Sequence, residues 1–167
     1  MIQRVFSLFI ILFFFEACSS RHYPKPLPIE QKKEITYKLH KKNFITQQLF
    51  HAYKKWAGTK YCYGGENYNG IDCSALTQII YKEAFNIDIP RTTKQQIKLG
   101  RSIAKKDLQE GDILFFKTSY KGLHSAIYLE RGYFIHASST NGVTLSSIYN
   151  PYWRTKYYQA KRVLTKF

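Results

Sequence analysis

Apolar residues recur at helical spacing in the first part of the folded region. Leu49 starts a series at i, i+4 and i+7 that predicts a helix over 44–56, and Gly58 ends it. A second apolar stripe predicts a helix over 73–85. A short third helix is expected over 92–99, with a glycine directly after it.

The pattern changes to short runs of β-branched and aromatic residues in the second half. Turns that contain glycine separate these runs, which predict strands over 112–116, 125–129, 133–137, 143–145 and 162–164. The sequence has no internal repeat and no alternation of strands with helices. Helices followed by a meander of strands indicate an α+β fold with an antiparallel sheet.

The N-terminal residues carry the pattern of an export signal. A short basic start is followed by an apolar run over 5–15, which is too short to span a bilayer as a helix. The residues before Cys18 resemble a bacterial lipobox, in which cleavage leaves the cysteine first and lipid is attached to it. We therefore expect lipidation of Cys18, and cleavage without lipid at a neighbouring small residue is the alternative.

Three segments follow from this: a lipoprotein signal peptide at 1–17, a flexible tether at 18–42 and a globular domain at 43–167. Alternating prolines over 23–28 favour a semi-rigid, polyproline-like start of the tether. The lipid would attach the protein to a membrane, and the tether would hold the domain away from it. In a cell with two membranes we expect the outer membrane, with the domain facing the periplasm.

The chain is strongly basic, with 26 Lys and Arg residues against 11 Asp and Glu residues and a formal net charge of +15. A basic protein favours anionic partners. Export argues against nucleic acid, and peptidoglycan fits better because its stem peptides carry carboxylates. A lysine-rich composition that serves only solubility is the alternative.

Cys73 is the strongest candidate for chemistry because it would be the first residue of the second predicted helix. Asp72 is expected to be the N-cap, with its carboxylate bonded to the amides of the first turn. The helix N-terminus favours a thiolate, but the charge of Asp72 opposes it, so a nearby histidine is needed. The backbone N–H groups of Cys73 and Ser74 would lie where an oxyanion forms. A buried structural cysteine is the alternative.

Two histidines on neighbouring predicted strands, His124 and His136, could supply the base and the group that orients it. A three-residue loop at 130–132 with a left-handed Gly132 would pair strand residues whose numbers sum to 262. His136 would then lie opposite Ala126, with His124 as its diagonal neighbour on the same face, about 7–8 Å away. A strict two-residue loop would put the two rings on opposite faces.

In this arrangement His124 takes the proton from Cys73 and later gives it to the leaving amine, and His136 accepts a hydrogen bond from the far nitrogen of His124. A cysteine and two histidines are also suitable zinc ligands, but no closely spaced ligand pair supports a metal site. We therefore expect no metal and no cofactor. Cys62 has no assigned role, and a disulfide with Cys73 that silences the enzyme is one alternative.

Several short motifs, taken together, resemble the NlpC family of cell-wall cysteine peptidases. The matching residues are Tyr61, Gly64-Gly65, Gly70 to Ser74, Gly111-Asp112, His124, His136 to Ser138, Asn150 to Trp153 and Ala160 to Leu164. The resemblance covers nearly the whole domain, and its C-terminal motifs are most similar to the murein endopeptidase lipoproteins of that family.

The resemblance implies a papain-like α+β fold in which the nucleophile helix packs on the antiparallel sheet. It also implies hydrolysis of stem-peptide or cross-link amide bonds in peptidoglycan. The catalytic residues carried over are the nucleophile Cys73, the base His124 and the third residue His136. The residues expected to bind substrate or stabilise the oxyanion are Tyr61, Asp72 and Ser74. We expect a monomer.

The sequence departs from the family pattern at two places. Ala75 stands where glycine is common, and Ser125-Ala126 replaces the usual small apolar pair with glycine after the base histidine. Both changes affect the shape of the pocket more than its chemistry.

Three functions stay open, of which a cysteine-type peptidoglycan endopeptidase is favoured. The others are a cell-wall-binding lipoprotein with a degenerate site, and an acyltransferase or amidase on the same scaffold. The bond cleaved is either the D,D cross-link or the bond between D-Glu and the diamino acid, and the sequence does not decide between them.

Overall fold

The computed structural model describes residues 44–119 and 122–164. The predicted signal peptide, Cys18 and the tether lie outside these residues, and so does part of the turn expected near residue 120. Those predictions stay predictions. Across the two described ranges, no helix has the length and apolar character that crossing a membrane requires.

Helices come first in the described chain and strands dominate its second half. The helices are α1 Phe44–Trp56, α2 Cys73–Phe85, α3 Thr93–Gln96 and α4 Pro151–Lys156, with a 3-10 turn at Lys105–Asp107. The strands are β1 Glu66–Asn67, β2 Gly70–Ile71, β3 Arg101–Ile103, β4 Ile113–Lys117, β5 Leu123–Glu130, β6 Tyr133–Ser138, β7 Gly142–Ser147 and β8 Tyr157–Arg162.

Both long helices have the bounds that the sequence predicts. Helix α2 begins where the side chain of Asp72 accepts a hydrogen bond from the backbone N–H of Ala75 at 2.8 Å, which confirms Asp72 as the N-cap. The third helix is shorter than predicted. From Lys98 onward the backbone N–H groups bond to the carbonyl three residues back, which is the pattern of turns rather than of an α-helix.

Six strands form one antiparallel sheet in the order β3-β8-β4-β5-β6-β7, and β1 and β2 form a small separate ribbon. One face of the large sheet packs against α1 and α2 through a core that includes Leu76 and Phe115. The opposite face packs through a second cluster around Phe116 and Trp153 of α4. The α+β fold with the helix of Cys73 packed on an antiparallel sheet is therefore confirmed.

The turn between β5 and β6 differs from the one expected. It has two residues, Arg131 and Gly132, whose φ angles of 51° and 83° are both positive. Glu130 and Tyr133 pair directly across it. The expected three-residue loop was therefore wrong, because the left-handed conformation extends to Arg131 and closes a tighter turn.

A bulge restores the predicted register despite the tighter turn. The pairing shifts between Tyr128 and Glu130, so that Tyr128 pairs with Phe134 and Ile127 pairs with Ile135. These partners have numbers that sum to 262, as predicted. The extra residue in β5 thus offsets the residue missing from the loop, and the side chains beyond it keep their faces.

The last strand lies earlier than the predicted 162–164. Strand β8 spans Tyr157–Arg162, where it pairs with both β3 and β4. Val163 and Leu164 are partly buried against the core, which accounts for their strand-like pattern. Arg162 also donates to both carboxylate oxygens of the buried Asp112, at 2.7 and 2.8 Å, and thereby ties β8 to the start of β4.

Candidate active site

The site is built where the first turn of α2 meets the middle of the sheet. Cys73 is the first residue of α2 and is buried, with 8% of its surface exposed. Its thiol is hydrogen-bonded to His124 and to the backbone N–H of Ser125, both on β5. The fold therefore places the predicted nucleophile against the predicted base.

His136 lies behind His124, so that Cys73, His124 and His136 form a row of three side chains. Nε2 of His124 lies 3.0 Å from Nδ1 of His136, and the two rings are nearly perpendicular. Because Nε2 of His124 faces His136, its Nδ1 is the atom left for Cys73. The structure thus brings together all three residues that the sequence predicts to be catalytic.

The surroundings of Cys73 favour a thiolate. Burial raises the pKa of the thiol, but the hydrogen bond to His124, the charge of His124 and the N–H of Ser125 together lower it by more. The pKa of Cys73 is consequently about 7, below its ordinary value of 9.0, although Asp72 acts in the opposite direction. Near neutral pH a large fraction of the thiol is therefore ionised.

His136 is held neutral in one tautomer. Burial lowers the pKa of His136 well below 6.5, and the charge of His124 acts in the same direction. Its Nε2 lies 2.9 Å from Oγ of Ser146 on β7. With the proton on Nε2, His136 donates to Ser146 and keeps Nδ1 as an acceptor for His124. Ser146 is a member of this row that sequence reasoning missed.

Trp153 of α4 covers both imidazoles. Its ring stacks on that of His124 with centroids 5.5 Å apart, and it meets His136 edge-on at 4.8 Å. Trp153 is itself buried and packs on Phe116 and Phe134. The indole therefore fixes the ring planes and keeps water from one side of the pair. The sequence motif contained Trp153 but did not indicate this role.

The carboxylate of Asp72 is bound from several sides. Besides capping Ala75, it accepts hydrogen bonds from the hydroxyl of Ser74 at 3.0 Å and from the backbone N–H of Gly64 at 3.1 Å. Both of its oxygens also accept from the guanidinium of Arg91, at 3.0 and 2.8 Å. Burial raises the pKa of Asp72, but Arg91 and the other donors hold it below its ordinary value.

Asp72 and Ser74 therefore use their side chains inside the protein, and their predicted part in substrate binding stays a prediction. The oxyanion donors predicted at this helix end are backbone groups. An α-helix supplies no acceptor for its first N–H groups, and Asp72 caps the one at Ala75. The N–H groups of Cys73 and Ser74 lie in this first turn, and their predicted role toward an oxyanion stays a prediction.

Tyr61 lies beside this helix end. It forms an isolated bridge with Ile71, two residues before the nucleophile. Burial raises the pKa of Tyr61, and the nearby Cys73 raises it further. Tyr61 is therefore a neutral hydroxyl close to the thiol, and its predicted role toward substrate stays a prediction.

Two further residues of the site were missed by the sequence. Arg91 follows a proline in a connecting segment, where nothing marks it as a partner of Asp72. Gln96 is fully buried and donates to the carbonyl groups of Ser74 and Pro90, both at 2.9 Å. It ties the first turn of α2 to the segment that carries Arg91.

Cys62 and Cys73 do not form the disulfide that was one alternative for them. Cys62 is exposed and Cys73 is buried, and both thiols are free. In residues 44–119 and 122–164, no group of three His, Cys, Asp or Glu side chains is arranged to hold a metal ion.

The sequence profile of the NlpC/P60 family matches residues 58–162, which is most of the described domain. The chain belongs to the NlpC/P60 family. Every residue of the Cys73, His124 and His136 row lies inside the matched range.

Curated relatives agree with this membership. The chain is 36% identical over 122 residues to the murein DD-endopeptidase MepS/murein LD-carboxypeptidase of Escherichia coli K12, covering 73% of this chain and 65% of that protein. It is 43% identical over 112 residues to the probable endopeptidase NlpC of the same organism, covering 66% and 73%. The chain thus spans slightly less than two thirds of the length of the MepS protein.

Solved NlpC/P60 structures share the fold. A family member from Bacillus cereus has a TM-score of 0.64 at 32% identity, covering 71% of this chain and 40% of the other. A lipoprotein-like member from Staphylococcus aureus has a TM-score of 0.66 at 30% identity, covering 75% and 43%. The papain-like NlpC/P60 fold expected from the sequence is confirmed.

Proposed function

We propose that this NlpC/P60 protein is a peptidoglycan endopeptidase that hydrolyses stem-peptide or cross-link amide bonds by a Cys-His-His thiol mechanism. One observation carries the proposal: a thiol with a pKa of about 7 is hydrogen-bonded to His124, which a neutral His136 holds in place. The names of the curated relatives, a murein DD-endopeptidase and probable endopeptidases, support the substrate class.

The chemistry follows from the row of side chains. His124 takes the proton of Cys73, and the thiolate attacks the carbonyl carbon of the amide bond. The oxyanion accepts hydrogen bonds from the backbone N–H groups of Cys73 and Ser74. His124 then gives its proton to the leaving amine, and a thioester remains. Water attacks the thioester with His124 as base, which releases the acid and restores the thiol.

The cellular setting is part of the same proposal. A lipid on Cys18 would fix the chain to a membrane, and the segment 18–42 would let the domain reach the cell wall. In a cell with two membranes the lipid would hold the protein on the outer membrane, facing the periplasm. The positive net charge supports contact with an anionic polymer.

Digestion of purified sacculi tests the proposal. The wild-type protein and a Cys62→Ser variant should release soluble muropeptides, and Cys73→Ala should release none. Mass spectrometry of the products would identify the bond, either the D,D cross-link or the bond from D-Glu to the diamino acid. Undiminished release by Cys73→Ala would refute the thiol mechanism. Sedimentation of wild-type protein with sacculi that stay undigested would instead support the cell-wall-binding alternative.

A further inference from the structure

Arg91 is bound through every N–H group that it has. Nε donates to Glu66 at 2.6 Å, and Nη1 donates to Asp72 and to Ser74, both at 3.0 Å. Nη2 donates to Asp72 at 2.8 Å and to the carbonyl of Gly65 at 3.5 Å. Since a guanidinium has five N–H groups, none remains for a substrate carboxylate. The role of Arg91 therefore lies within the protein.

The partners of Arg91 meet at the base of the nucleophile. Asp72 directly precedes Cys73, and Ser74 directly follows it. Glu66 and Gly65 belong to the segment after Tyr61. A single side chain thus joins the loop beside the thiol to the first turn of α2.

Asp72 creates a conflict in this place. Helix α2 needs its carboxylate as the N-cap, and Asp72 is 7% exposed. A buried negative charge next to Cys73 disfavours a thiolate, because two like charges would then share a site of low dielectric. The thiolate can form while the helix keeps its cap only if another group compensates the negative charge of this carboxylate.

We propose that Arg91 is a positioning residue that neutralises Asp72 and thereby allows the Cys73 thiolate to form while α2 keeps its cap. This inference rests on the proposed thiol mechanism. The fork of the guanidinium matches the two carboxylate oxygens, and a lysine would offer one point charge instead.

The other charged and titratable groups around the thiol do not take this role. His124 faces Cys73 directly and carries the proton in the reaction. Neutral His136 lies behind His124, and the neutral hydroxyl of Tyr61 lies beside the helix end. Glu66 is itself paired with Arg91 and is largely exposed.

The rate of alkylation of Cys73 by iodoacetamide, followed across pH in the full-length protein, tests the proposal without peptidoglycan. Chymotrypsin cuts after Tyr63 and Tyr68, so mass spectrometry reads Cys73 separately from Cys62. The wild-type midpoint is expected at about pH 7. Arg91→Met should raise it by about one pH unit or more, since the charge of Asp72 is then uncompensated.

A second substitution separates charge from structure. In the Asp72→Asn, Arg91→Met double variant the cap is kept and the charge is gone, so the midpoint should return to within about half a pH unit of wild type. Asp72→Asn alone should lower the midpoint below that of wild type. Should Arg91→Met not fold, an Asp72→Asn midpoint that is no lower than that of wild type overturns the proposal.

Arg162→Met is the matched control, because it breaks an equally bidentate Arg–Asp pair away from Cys73. It should lower stability and leave the alkylation midpoint unchanged. The proposal is overturned by an Arg91→Met midpoint within about 0.3 pH units of wild type, or by a double variant that stays as high as Arg91→Met. These curves decide the role of Arg91 even in a protein that releases no muropeptides.

Discussion

The buried neutral His136 makes the stability of the domain depend on pH in a way that can be isolated. Burial lowers the pKa of His136 well below 6.5, whereas in the unfolded chain it has its ordinary value of about 6.5. Below pH 6.5 the unfolded state therefore binds a proton that the native state does not. Acidification favours unfolding, and the loss of stability begins as the pH falls through the unfolded value.

The size of the effect follows from the same comparison. A pH of 5 is about 1.5 units below the pKa of the histidine in the unfolded chain. Each unit of this difference corresponds to about 1.4 kcal/mol of unfolding free energy. A His136 that stays neutral in the native state therefore lowers the free energy of unfolding by about 2 kcal/mol between pH 7 and pH 5. The shift at Asp72 lies below this interval. Cys73 titrates partly within it, because its pKa is about 7, but this contribution is common to wild type and the His136 variant and cancels in their comparison.

Guanidinium chloride unfolding at pH 7 and pH 5 measures this loss. His136→Asn removes the titrating ring, so its loss on acidification should be smaller than that of wild type by about 2 kcal/mol, whatever its stability at pH 7. His51→Asn is the matched control, because His51 is exposed on α1, and it should keep the full wild-type loss. Equal losses in wild type and His136→Asn would refute a neutral buried His136.

Three further predictions concern groups around the histidine pair. Ser146→Ala removes one hydrogen bond to His136, so kcat on muropeptides should fall about fivefold, corresponding to about 1 kcal/mol. Ser146→Thr should retain activity. An alanine variant as fast as wild type would contradict the assignment of the His136 proton to Nε2. Trp153→Ala should lower the free energy of unfolding by about 3–5 kcal/mol in guanidinium chloride, and a loss under about 1 kcal/mol would exclude a close-packed indole. Gly132→Ala should destabilise by about 1 kcal/mol, because its φ is 83° and a Cβ would meet the ring of Tyr149; unchanged thermal stability would argue against the two-residue turn.

The helices could be predicted from the sequence because their signals are local. The stripe of α1, the cap at Asp72 and the nucleophile at the start of α2 are all read from neighbouring residues. The same kind of signal was present for α4, where Asn150 caps the helix by accepting from the N–H of Tyr152 and proline follows it. That helix was missed because it is short and interrupts a region of strands.

The hairpin of β5 and β6 has features that neighbouring residues in the sequence do not predict. Positive φ at Gly132 could be predicted, but a non-glycine Arg131 in the same conformation could not. The bulge after Tyr128 shifts the pairing of β5 with β6, and no residue near it signals a bulge in the sequence. The predicted loop length was wrong, but the predicted register was right. The position of His136 relative to His124 depends on the loop and the bulge together, and the extra residue in the bulge offsets the residue missing from the loop.

Arg91, Gln96 and Ser146 could not be predicted because they act across the chain. Each is a polar residue in a segment without a motif, and the partner that gives it its role lies 10 to 22 residues away in sequence. Burial of a hydrogen-bonding side chain is a property of the folded molecule. The residues that we propose to perform the chemistry were therefore readable from the sequence, and most of those that hold them in place were not.

In the proposed mechanism, the charges of the site favour a neutral histidine as the third residue. In that mechanism the thiolate carries its charge before it attacks, and the proton that His124 takes from Cys73 balances it. Asp72 and Arg91 balance each other. A carboxylate in place of His136 would stabilise the imidazolium more strongly, but it would add one uncompensated negative charge behind a site that already holds a thiolate. A serine nucleophile is neutral until attack and benefits from such a carboxylate. Here His136 needs only to fix the tautomer and orientation of His124, and its hydrogen bond to Ser146 is enough for that.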